Sequence, residues 1–174
     1  TSGQGTFAWP SGITIDKNDR VFIVENAIPY TTERVQAFDA DGNFLFQFGN
    51  EGSGPGQFQS PDQITTDSDG WVYVGEHWGQ RVSVFDNNGT FINTIGNGFG
   101  SGPGQFSLAG VVAVLDDKTV LVDNIYNNRL DRFRFVNPNG SSAVPEPSEW
   151  AAMGLLGTGL LGLVVRGRKK NLAN

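Results

Sequence analysis

The sequence contains no cysteine and only one histidine and one methionine among 174 residues. Without cysteine there can be no disulfide scaffold and no thiolate metal site. A single histidine cannot supply a multi-histidine zinc site within this chain. Charge is also scarce, at 17% of residues, and positive charge is scarcest. Residues 1–143 hold 16 Asp and Glu against 8 Lys and Arg, a balance of −8, whereas residues 144–174 carry a balance of +2. An acidic body lacks the clustered cations that phosphate-backbone binding requires, so no nucleic-acid partner is expected. What the chain has in excess is Gly (24) and Phe (13). That balance favours an all-β protein rich in tight turns.

Self-similarity organises the body. Gly-Pro-Gly-Gln-Phe ends at Phe58 and again at Phe106, 48 residues apart, and a degraded copy ends at Phe7, 51 residues before Phe58. Val74 and Val122, Arg81 and Arg129, and Phe85 and Phe133 keep the offset of 48. Arg34 and Arg81, and Phe38 and Phe85, lie 47 apart, so the first copy carries a four-residue insertion around Ala27–Thr32. In the second copy the apolar runs predict strands at Asp62–Thr66, Trp71–Gly75, Arg81–Phe85 and Thr90–Ile95. Asp-Gly and Asn-Gly turns supply the positive φ angles of tight hairpins between them. Four strands in about 48 residues is the blade of a β-propeller.

The repeat resembles the NHL family, whose pattern is Pro-x-Gly-Ile, Asp, Gly-x-Val-Tyr-Val, Arg-Val, Phe-Asp and Gly-x-Phe in order. The first two copies follow it over Trp9–Gly49 and Ser60–Phe106, while the third has Ala109 in place of Pro and Leu115 in place of Asp. The resemblance implies a propeller, commonly six-bladed, that serves as a binding platform. Repeats are expected at about 7–49, 58–96 and 106–137, within a body of 1–137. The third contains only three strands before Asn137, and Thr1 begins inside an interblade linker, so the chain is expected to be the C-terminal half of a larger propeller.

Residues 138–149 form a Pro- and Ser-rich linker containing Val144-Pro145-Glu146-Pro147. Residues 150–174 hold the charge-free run Trp150–Val165 and then a basic stop of Arg166, Arg168, Lys169 and Lys170. Sixteen apolar residues approach the roughly 20 that span a bilayer, so a C-terminal transmembrane helix with its basic end cytoplasmic is predicted. This tripartite tail resembles the PEP-CTERM sorting signal. The resemblance implies export in a Gram-negative-type bacterium, processing by an exosortase, contact with the inner membrane, and delivery to the envelope or extracellular matrix.

Arg34, Arg81 and Arg129 recur at one position of every repeat and are read as structural, tying strand to turn. Asp67-Ser68-Asp69-Gly70 is read as a hairpin turn rather than a calcium loop, because an EF-hand needs Glu twelfth from Asp67 and that residue is Trp78. His77 is the one side chain here with an ordinary pKa near neutrality. Tyr30, His77, Trp78 and Tyr126 are the candidate ligand contacts, with a protein or polysaccharide as partner. No catalytic residue, metal or cofactor is expected in this chain. The competing class is a metal-dependent propeller enzyme, a lyase or lactonase-type hydrolase, whose catalytic residues lie partly in further blades.

Overall fold

The computed structural model describes residues 3–27, 32–115 and 118–134, together with the backbone of Val144–Pro145. The described chain is all-β. It forms three antiparallel sheets of four strands each. The first sheet contains β1 (Pro10–Ile15), β2 (Val21–Ala27), β3 (Thr32–Phe38) and β4 (Phe44–Phe48) in that order. The second contains β5 (Pro61–Thr66), β6 (Val72–Glu76), β7 (Arg81–Phe85) and β8 (Phe91–Ile95). The third contains β9 (Ala109–Val114), β10 (Thr119–Asn124), β11 (Arg129–Arg134) and β12 (Val144–Pro145), with a 3-10 turn at Ile125–Asn127. The predicted strands of the second repeat hold to within one residue at each end.

The hairpins are shaped by aspartates. Asp16 Oδ1 accepts hydrogen bonds from the backbone of Asn18 and Arg20, and Asp67 Oδ1 accepts them from Asp69 and Trp71. Asp39 and Asp86 do the same for the β3–β4 and β7–β8 turns. Each carboxylate thereby satisfies turn N–H groups that have no ladder partner. Asp67 Oδ2 also accepts a hydrogen bond from the buried Tyr73 hydroxyl at 3.0 Å, so the hairpin is fixed from within the core. In the third copy Leu115 stands at this position, so the side-chain acceptor is missing, and the Leu115 N to Thr119 O bond closes the hairpin with the Lys118 N to Leu115 O bond within it.

The sheets stack face to face, with β1 against β5 and β5 against β9. Phe22, Val24, Val35, Ala37, Ile64, Val72, Val74 and Phe85 fill the first interface. Tyr73, Val82, Val84, Val112, Val120, Val122 and Phe133 fill the second. Strand β6 sends alternate side chains into both cores, which is why it reads as continuously apolar. The Gly-Pro-Gly-Gln-Phe linkers drop Phe58 and Phe106 into these cores.

The third sheet has the three strands expected before Asn137 and takes its fourth from further along the chain. Val144–Pro145 pairs antiparallel with Phe133 and Arg134 and takes the fourth position. An open β11 edge presents unpaired backbone groups that an extended segment can complete, and proline is tolerated on such an edge. The predicted helix at Trp150–Val165 and the basic stop lie outside the described residues. Among the described residues no helix is long and apolar enough to cross a membrane.

Candidate functional site

The recurring arginines are absorbed by the scaffold. Arg34 donates through Nε to Glu25 Oε1 at 2.8 Å and through Nη2 to the carbonyls of Gly3 and Thr6. Arg81 donates to Glu76 Oε1 at 2.9 Å and to the carbonyls of Ser53 and Gln57. Arg129 donates to the Asp131 carboxylate and to the carbonyls of Ser101, Gly102 and Gln105. The acceptor shifts between repeats. Glu25 and Glu76 are matched by Asn124, while Gln36 and Ser83 are matched by Asp131, so each sheet keeps one carboxylate against its arginine. Glu76 is fully buried, and burial pushes its carboxyl up despite the bonds from Arg81 and Ser83 that pull the other way.

A different carboxylate is left over. Glu33 sits in β3 directly after the inserted loop and is 2% exposed. Its Oε1 accepts the Ser60 backbone N–H at 3.0 Å, while its Oε2 has no hydrogen-bond partner among the described residues. Burial raises the Glu33 pKa above the ordinary carboxylate range, and the negative charges of Glu51 and Glu76 add to that rise. The repeat equivalents of Glu33 are Gln80 and Asn128, which adopt left-handed φ angles of 51° and 50°. The insertion instead draws Glu33 into an extended strand and turns it inward.

Glu33 lines a cleft of about 280 Å³ with Glu51, Gly52, Phe58, Gln59, Ser60 and Trp78. Trp78 is 64% exposed, so the indole offers an apolar wall to anything entering. Asn26 borders the same region: its Nδ2 donates to Ser60 Oγ at 3.0 Å, and its Oδ1 is buried without a partner among the described residues. Of the described residues proposed from sequence, only Trp78 lines this cleft. His77 faces Asp62 instead, with Nε2 at 3.4 Å from Oδ2. Tyr126 is exposed at the matching position of the third sheet, and Tyr30 lies outside the described residues. Glu33 escapes a reading built on recurrence because it is the residue at which the repeat breaks. Its one sequence signal is a carboxylate placed immediately after the insertion.

Residues 143–169 match the family described as the PEP-CTERM protein-sorting motif. That motif points to export and to cell-envelope sorting in bacteria by an exosortase. Protein brain tumor of Drosophila melanogaster is 25% identical over 95 residues, which is 53% of this chain and 9% of that protein. Among solved structures, virginiamycin B lyase from Staphylococcus aureus is similar at a TM-score of 0.54 and 16% identity, over 81% of this chain and 42% of that one. A gluconolactonase from Xanthomonas campestris aligns at a TM-score of 0.50 and 16% identity, over 68% and 36%. Hydrazine synthase of Kuenenia stuttgartiensis reaches 0.57 at 18% identity, over 83% and 37%. The chain thus spans well under half of each of these proteins. At such identities the likeness is one of fold, and the fold is all-β with propeller-type neighbours.

Proposed function

We propose that this chain is part of an exported, envelope-anchored NHL-type propeller that acts as a binding module. The sorting motif at 143–169 carries the reading of export and processing. Two things support the binding role: the recurrent polar residues are consumed by the scaffold, and the unconsumed carboxylate lines an open cleft beside an exposed tryptophan. The three sheets are three blades of a larger ring. The competing reading, a metal-dependent lyase or lactonase, has a likeness of fold behind it.

Cell fractionation tests the sorting half of the proposal. Deleting residues 144–174 should release the protein from the envelope, and replacing Pro145, Glu146 and Pro147 with alanine should block processing while leaving the precursor membrane-associated. Retention of the deleted chain in the envelope would refute it.

A further inference from the structure

We infer that the cleft between Glu33 and Trp78 binds an amino sugar through its free ammonium group. The inference rests on the binding-module reading and assigns that module a ligand class. Glu33 lines the cleft with its Oε2 buried and without a partner among the described residues, and Asn26, tied to the lining through Ser60, carries a second such acceptor at Oδ1. A buried acceptor left unmade is costly, so the complementary ligand is rich in donors. An ammonium group is three donors and no acceptor, and sugar hydroxyls donate as well. The sign of the charge is set independently. Glu33 and Glu51 line the cleft and the carboxylate of Glu76 lies near Glu33, so an anion is repelled while a cation relieves the repulsion.

Trp78 and the size of the cleft choose among cations. A hard metal ion takes six or more oxygen ligands, and among the described residues no group of three or more carboxylate or imidazole side chains is placed to hold one. An indole face attracts organic cations and stacks against the apolar face of a ring. A volume of about 280 Å³ lies at the lower end for ligand pockets and suits a single ring. A neutral sugar is the weaker ligand, because it leaves the Glu33 charge uncompensated.

Titration calorimetry with the full chain tests this, using glucosamine, N-acetylglucosamine, n-butylammonium chloride and calcium chloride in separate runs. Glucosamine should bind in the ~1 mM range and about tenfold more tightly than N-acetylglucosamine, which has lost the positive charge. Glu33→Gln should erase that tenfold preference, and Trp78→Ala should weaken both sugars. Glu33→Gln is not expected to unfold the protein. The Glu33 pKa is raised in the fold, so its contribution to stability is complete below the ordinary carboxylate range and is lost as pH rises through the raised value. At pH 7 the amide should therefore be at least as stable as the carboxylate, as urea unfolding will register. Equal affinity for the two sugars, a glucosamine affinity indifferent to Glu33→Gln, or no binding at 50 mM would each overturn the inference. Preferential binding of calcium or of n-butylammonium would overturn it too. A chain that is sorted normally yet ignores glucosamine defeats this inference alone and leaves the exported module standing.

Discussion

At the scale of single residues, the three arginine clamps show one physical requirement met by two arrangements. A guanidinium that gathers linker carbonyls needs one carboxylate beside it, supplied by β2 or β6 in the first two sheets and by β11 in the third. Asn124 donates Nδ2 to Asp131 Oδ2 at 2.7 Å and accepts the Ser107 N–H, so it serves as the neutral partner of an exchanged pair. Two carboxylates against one arginine would leave a buried negative charge uncompensated. Asn124→Glu alone should therefore destabilise the protein by about 2–4 kcal/mol. Adding Asp131→Ser restores the pattern of Glu76 and Ser83 and should recover at least about 1 kcal/mol of that loss. Urea denaturation of the four chains of this cycle measures the coupling, and simple additivity would show that the exchange has no energetic meaning. The clamp was legible in sequence because it recurs. Glu33 was not, because an inward turn imposed by a neighbouring insertion leaves no periodic mark.

At the scale of elements, the interblade linkers depend on glycine for space as well as for backbone angle. Gly49 has φ +80°, and a Cβ there would lie 2.1 Å from Phe58 Cε2, inside the core that Phe58 plugs. Gly42 has a nearly equal φ of +83° but open space around it. Comparing the two separates conformational strain from packing. Gly42→Ala should cost about 1 kcal/mol, the penalty of a left-handed non-glycine residue. Gly49→Ala should cost about 2–3 kcal/mol more, because Phe58 must leave its site or the linker must move. Equal losses in thermal or urea unfolding would mean that the linker is not packed as described. The glycine and phenylalanine spacing makes these linkers readable from sequence. Strand β12 is not readable in that way, since two residues with no alternation take their place only by completing an edge already formed.

At the scale of the whole molecule, the two ends of the stack differ. Phe58, Ile64, Val72, Val74 and Phe85, and their counterparts Phe106, Val112, Val120, Val122 and Phe133, are buried against the preceding sheet. The same positions in the first sheet are Phe7, Ile13, Val21, Ile23 and Phe38, and here Ile13 is 66% exposed. Residue by residue, this face is built like the two that another blade covers. The opposite end keeps an exposed Leu130 where Val82 is buried and places Arg132 where Val84 is buried. The first face supports the proposal that the three sheets are blades of a larger ring, in which a further blade would cover it. A paired substitution on β2 tests the point. Val24 is buried against the second sheet, so Val24→Lys places an unpaired ammonium in the core and should unfold the 174-residue chain. Ile23 points the other way, and Ile23→Lys should lower its unfolding free energy in urea by less than about 1 kcal/mol while reducing binding of a hydrophobic dye to the chain. In a polypeptide that supplies the adjoining blade, Ile23→Lys should become as damaging as Val24→Lys. If the two lysines are equally damaging in the 174-residue chain, the first face is already packed within it and the larger ring loses its support.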